Sequence, residues 1–346
     1  MKLRRINKSM GVSIIFGGQW GSEGKGKTTY FFAQKFHAST VVRVGGPNSG
    51  HTIVDKYGKR LSFQILPVAS VLDDVICVLP AGSYIDLDIL DREIKMSGLP
   101  SKNLKIHPNA VIVSEKNREM EVVEHLNNKI GSTESGTGEA VIARVKRDLS
   151  VHLARDTEML RPFLCDTEEF LRMELRNSHE VIIEGTQGFG LSVLHAREYP
   201  YTTSRDTSAA AFLSDAGISP FDVKNIIMTL RAFPIRVAGN SGPLPKETTW
   251  KDVTNLAGAS LDILEHTTVT KRVRRVAEFD AEIVNRSIIS NSPNIVVLNH
   301  CDYFDYSINN EEKLSLCAEE KVSEIEMQIG NVDYVGTGDR TLFTRR

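Results

Sequence analysis

The stretch Gly17-Gly18-Gln19-Trp20-Gly21-Ser22-Glu23-Gly24-Lys25-Gly26-Lys27-Thr28 lies between a short apolar run, Val12 to Phe16, and an amphipathic segment, Thr28 to Phe36. That order dictates a strand, a tight turn and a helix. Glycines let consecutive backbone N–H groups turn inward on one anion, the helix N-terminus adds its positive end, and Lys25 and Lys27 supply point charges. Gly21 to Thr28 also fits the pattern G-x-x-x-x-G-K-[ST]. Glycine-rich turns recur by chance, but the strand before and the helix after this one mark it as a phosphate cradle.

Other short β-branched runs recur with helical stretches between them: Thr40 to Val44, Val75 to Leu79, Val111 to Val113, Val181 to Ile183, Asn225 to Leu230 and Ile295 to Leu298. The alternation predicts an α/β fold of P-loop type, a mostly parallel central sheet flanked by helices. Ile53-Val54 and Leu61 to Gln64 flank a Tyr57-Gly58-Lys59 centre and predict a small inserted hairpin. A chain of 346 residues without repeats or low-complexity tracts reads as one domain with inserted loops over 11–346, behind a flexible extension, 1–10.

A formal charge of -2 gives no electrostatic case for nucleic acid or an anionic membrane as partner. Four cysteines without C-x-x-C spacing argue against a disulfide framework and a zinc knuckle. The apolar run after the basic N-terminus is too short for a signal-peptide core, and no segment reaches membrane-span length, so a cytoplasmic enzyme is expected.

In such sheets ligands sit beyond the carboxyl ends of the strands. Four chemically loaded segments fall there: the cradle, Gly45 to Thr52, Glu184 to Gly188, and Asn299-His300-Cys301-Asp302. His51 stands in a Gly/Asn/Ser loop rather than on an apolar face, which favours phosphoryl-charge stabilisation over packing. Asn48 serves equally well as a turn residue. Gly131 to Gly138 offers hydroxyls and N–H groups to a second phosphate, with Arg144, Lys146 and Arg147 following; a solvated basic face is the competing reading of those three. Thr267 to Arg275 carries four cations in five positions, a density that repels itself unless anions bind there. A dicarboxylate would suit it.

Taken together, the residues resemble adenylosuccinate synthetase. That family's G-x-Q-W-G-D-E-G-K-G-K, G-G-x-N-x-G-H-T, E-G-x-Q-G, Y-P-Y-x-T-S and arginine-rich segments stand here as Gly18 to Lys27, Gly45 to Thr52, Glu184 to Gly188, Tyr199 to Ser204, and Thr267 to Arg275, in the family's order. The resemblance implies a two-step ligation. A nucleoside triphosphate phosphorylates O6 of a 6-oxopurine nucleotide, and the amine of L-aspartate then displaces phosphate.

The resemblance assigns catalysis to Ser22, Lys25, His51 and Gln187. It gives the triphosphate to Glu23, Gly24, Lys25, Gly26, Lys27, Thr28, Asn299, His300, Asp302, Gly336 and Gly338. The substrate nucleotide falls to Ser22, Asn48, Ser132, Thr133, Arg147, Gln187, Leu191 and Thr203. Aspartate falls to Thr268, Val269, Thr270, Arg272 and Arg274, and Mg2+ to Ser22 and Gly50. Arg147 matches an arginine that crosses a homodimer interface.

Two departures matter. The family carries aspartate where this chain has Ser22, and a serine hydroxyl is far too weak a base to replace it. The serine form looks like the phage 2-aminoadenylosuccinate synthetases, which use dGMP to begin diaminopurine nucleotide synthesis. A shorter side chain leaves room beside C2 for an exocyclic amine. The family's T-K-x-D guanine motif is Asn299-His300-Cys301-Asp302 here, without the lysine, which favours ATP or dATP as donor. The alternatives are an ordinary synthetase using IMP and GTP, a P-loop NTPase that does not ligate, and a silent nucleotide-binding module.

Overall fold

The computed structural model describes residues 11–267 and 272–345, so the expected flexible extension, 1–10, lies outside the described residues. Val12–Gly17 is the middle strand of a nine-stranded sheet. The order is Phe343–Thr344, Tyr334–Val335, Ile295–Asn299, Val223–Arg231, Val12–Gly17, Val181–Glu184, Thr40–Arg43, Ile76–Leu79, Leu104–Ile106. All neighbours pair in parallel except the edge pair Tyr334–Val335 and Phe343–Thr344.

Parallel neighbours need crossover connections, and helices in those connections cover both faces of the sheet. Hence the strands are apolar on both sides. Ile14, Phe16, Val42, Ile183, Met228 and Leu298 pack into one core, and Ile15, Val41, Ile182, Ile227 and Val297 into another. Each fully buried side chain of this kind contributes roughly 1.5–3 kcal/mol.

The hairpin forms as expected, with His51–Val54 antiparallel to Arg60–Phe63 and His51 opposite Phe63. The Asp55 carboxylate accepts the N–H groups of Tyr57 and Lys59 at 2.9 and 2.8 Å, and Gly58 takes φ 82°. The turn thereby fixes the register that puts His51 at the base of the hairpin, against the sheet.

Two expectations change. The helix begins at Lys25 rather than Thr28, because Gly24 adopts φ 91° and ends the loop there. Lys25 and Lys27 therefore sit in its first turn. The run at Val111 yields the two-residue strand Val111–Ile112, which pairs with Tyr84–Ile85 in a separate sheet. No described helix is long and apolar enough to cross a membrane.

Candidate active site

The parallel strands end on one edge, and the loops leaving them there enclose a cavity of about 860 Å3. Of the sequence-predicted site residues, Ser22, Gly24, Lys25, Gly26, Lys27, Asn48, Gly50, His51, Ser132, Thr133, Gln187, Leu191, Thr203, Arg274, His300 and Gly338 line it. Glu23, Thr28, Arg147, Arg272, Asn299, Asp302 and Gly336 do not. Thr268, Val269 and Thr270 lie outside the described residues.

The cradle differs from its sequence reading in one respect. Glu23 is fully buried, and its carboxylate accepts the N–H groups of Gln19 and Gly21 at 3.2 and 2.7 Å and pairs with Lys25 Nζ at 2.6 Å. The inward-facing N–H groups of the loop thus enclose an internal carboxylate. The helix Lys25–Lys35 opens without a side-chain cap and without an acidic residue in its first turn. Its N-terminal N–H groups and dipole therefore stand open on the cavity wall, an arrangement that suits an anion. Thr28 and Asn299 brace that turn from behind: Asn299 Nδ2 donates to Glu23 O at 2.9 Å and to Thr28 Oγ1 at 3.5 Å. A side chain at Gly336 would collide with Asn299 and Lys27. Lys27 Nζ donates to Gly338 O at 2.7 Å, and burial, opposed by Asp302, pushes its ammonium down to about 8.

His51 is buried against a carboxylate that the sequence reading left without a role. Its Nδ1 lies 2.5 Å from Glu184 Oε1, and Glu184 Oε2 accepts the Val68 N–H at 3.0 Å. Arg43 Nη1 lies 3.1 and 3.4 Å from the two ring nitrogens and donates to Gly185 O at 3.0 Å. Burial pushes Glu184 up to about 7, while burial, Arg43 and Lys25 push His51 well below its ordinary value. Below about pH 7 Glu184 is therefore the protonated partner; it then donates to Nδ1 and leaves the single ring proton on Nε2.

A second buried knot joins Ser22 to the arginine segment. Arg231, fully buried, donates from Nη1 to Ser22 O at 3.0 Å and pairs through Nη2 with Glu265. Glu265 also accepts Arg274 Nη1 and Tyr303 Oη, each at 2.8 Å. Burial opposes ionisation of Glu265, but Arg231, His300 and Arg274 outweigh it and hold the carboxylate well below its usual range. Arg275 pairs with Glu247 at 2.6 Å. The self-repulsion expected of the basic segment is thus relieved internally, at Glu265 and Glu247. Arg272 is exposed and reaches Asn127 Oδ1 at 3.3 Å instead of the cavity.

In the 131–138 loop, Glu121 accepts the N–H groups of Gly136 and Gly138 at 3.0 and 2.8 Å. Ser132 and Thr133 keep their places on the cavity wall. Arg144 is structural, holding Ala81 O and Asn109 O at 2.8 and 3.1 Å, whereas Arg147 is exposed at the end of helix Thr137–Lys146. At the opposite end of the cavity, burial and Arg231 push His300 well below its ordinary value, so a neutral imidazole stands where the family pattern has lysine.

The adenylosuccinate synthetase family profile matches residues 14–154 and 148–329. The adenylosuccinate synthetase of Methanococcus aeolicus is 35% identical over 339 residues, 95% of this chain and 97% of its own length. This chain belongs to the adenylosuccinate synthetase family. It is a nucleotide-binding ligase of purine biosynthesis that forms a C–N bond.

The adenylosuccinate synthetase of Methanocaldococcus jannaschii is 37% identical over 336 residues, 94% of each chain. Among solved synthetases, the succinoaminodeoxyadenylate synthetase of cyanophage S-2L, bound to dGMP and to dATP as energy donor, superposes with a TM-score of 0.81 at 31% identity. The match covers 98% of this chain and 96% of that one. The fully ligated adenylosuccinate synthetase of Plasmodium falciparum shares the fold, with a TM-score of 0.82 at 19% identity over 97% of this chain and 100% of that one.

Proposed function

We propose that this synthetase joins L-aspartate to C6 of dGMP with cleavage of ATP or dATP. The products are 2-amino-2'-deoxy-N6-succinyladenylate, ADP or dADP, and phosphate, for diaminopurine nucleotide synthesis. The observation that carries the reading is Ser22, exposed on the cavity wall at φ 58°. Aspartate is enriched in that backbone region and serine is not, so local conformation gives no reason for the family's aspartate to be missing. What serine offers is a short, neutral donor and acceptor that leaves space beside C2 for an amine. The likeness to the S-2L enzyme, whose structure holds dGMP and dATP, supports the same reading.

In the first step O6 attacks the γ-phosphorus, the O6–P bond forms, the bond to the β-phosphate oxygen breaks with ADP or dADP leaving, and the N1 proton passes to water. His51 Nε2–H and the N-terminus of helix Lys25–Lys35 stabilise the transferred group. In the second step the aspartate amine attacks C6, the C6–O6 bond breaks, and phosphate leaves with the proton that the amine gives up. Arg274 holds a carboxylate of the amino acid, while Asn48, Ser132, Thr133, Gln187, Leu191 and Thr203 hold dGMP.

Ser22 and Gly50 offer only hard oxygen donors, and no group of three or more His, Cys, Asp or Glu among the described residues is placed to hold a metal. That donor set fits Mg2+, with its other ligands drawn from triphosphate oxygens and water. Bound there, Mg2+ supplies charge neutralisation at the phosphoryl oxygens.

The active species is a homodimer. Val145 and Leu149, which are 74% and 102% exposed, flank Arg147 in the chain and leave apolar area there that a second copy would cover. Arg147 then serves the neighbouring cavity. Incubation with dGMP, L-aspartate and ATP, followed by product mass, tests the proposal. The archaeal relatives favour a second reading, IMP with GTP, and a succinyl product from IMP alone would establish it.

A further inference from the structure

Beyond His300, which leaves its strand at φ 61°, the Asp302 side chain turns away from the cavity and is 1% exposed. Both carboxylate oxygens are occupied: Oδ1 accepts the Gly338 N–H at 2.8 Å, and Oδ2 accepts Asn309 Nδ2 at 2.7 Å. Asn309 is itself held, because Asn310 Nδ2 donates to its Oδ1 at 2.8 Å. Asn310 also accepts the Arg340 N–H at 3.0 Å and donates its own N–H to Thr337 O at 2.6 Å. A side chain at Gly338, φ 92°, would meet Asn310 Oδ1 at 2.8 Å. The Asn309-Asn310 pair therefore staples the 336–341 loop across Asp302.

From this staple we infer that Asn309 sets the base preference of the phosphoryl donor by withdrawing Asp302 from the cavity, so that an adenine nucleotide is taken rather than a guanine one. The inference rests on the reading of the site as a triphosphate-dependent synthetase and deepens its choice of ATP or dATP. A free carboxylate presents two acceptors, which match the N1–H and N2–H of guanine and repel the N1 lone pair of adenine. With both oxygens satisfied inside the protein, guanine loses its partner and adenine meets no penalty. Asn309 is thus a specificity-determining residue that acts through Asp302 without touching the nucleotide.

The test is the ratio of kcat/KM for GTP to that for ATP, measured with saturating dGMP and L-aspartate. Asn309→Ala frees Oδ2 and should raise the ratio by at least about tenfold through a gain with GTP, which a general structural loss cannot produce. Asp302→Asn, an independent variant, should leave the ratio within about twofold of native, since the carboxylate reads no base there. An ATP-preferring native enzyme whose ratio is unmoved by Asn309→Ala overturns the role of Asn309. A tenfold drop of the ratio in Asp302→Asn overturns the withdrawal of Asp302. A native enzyme that itself prefers GTP refutes the donor reading, and the inference with it.

Discussion

Raising the pH through 7 should switch off the His51 donor. Glu184, pushed up to about 7, is protonated below that pH and donates to His51 Nδ1, which keeps the ring proton on Nε2. Above it, the carboxylate draws the single ring proton to Nδ1 and leaves Nε2 bare. The competent form is the protonated one, so activity is present below pH 7 and lost above it. At pH 9 roughly 1% of the free enzyme retains it, and kcat/KM for dGMP should be about 100-fold lower than its plateau. Glu184→Gln isolates the cause. The Val68 N–H, 3.0 Å from Oε2, keeps the amide oxygen, so the amide NH2 faces Nδ1 and holds Nε2–H at every pH. Phosphate release at subsaturating dGMP should therefore fall between pH 7 and 9 in the native enzyme and stay level in the variant. A level native profile, or an equal fall in Glu184→Gln, would refute the proton assignment.

His51→Ala should fold and bind dGMP but lose about 10²–10³ in kcat, or roughly 2.7–4 kcal/mol of barrier; near-native turnover at saturation removes it from the mechanism. Glu265→Ala strands Arg231 and Arg274 and should cost about 3–5 kcal/mol in denaturant unfolding, as for a broken buried ion pair. A loss below about 1 kcal/mol would show that the knot is not structural. Mixing Arg147→Ala with Lys25→Ala chains should restore part of the activity, because one site of each mixed dimer regains both groups. Failure of rescue in verified mixed dimers places Arg147 outside the shared site.

What was legible in the sequence was local. The run Val12 to Thr28 declares strand, turn and helix within one window, and His51 declares itself by standing in a polar glycine loop. Partnerships across the chain were not legible. Arg231 and Glu265 are 34 residues apart, and neither neighbourhood points to the other. Glu184 closes an apolar strand and carries no mark of the histidine it meets 133 residues away. Glu23 sits among glycines that suit a phosphate, and only the folded loop shows its own carboxylate filling the turn. Asp302 keeps the motif position of a base-reading acid, but its orientation depends on Asn309, whose segment carries no motif. The order of segments was thus readable, whereas the direction of each side chain depended on contacts made only in the fold.

Whether Ser22 makes this a dGMP enzyme is decided by kcat/KM for dGMP against IMP, with products identified by mass. The native protein should favour dGMP, with IMP a poor substrate. Ser22→Asp should move the ratio towards IMP, though incompletely, because the rest of the pocket is unchanged. A native enzyme that succinylates IMP more efficiently than dGMP would be an ordinary adenylosuccinate synthetase, and Ser22 would not set its substrate.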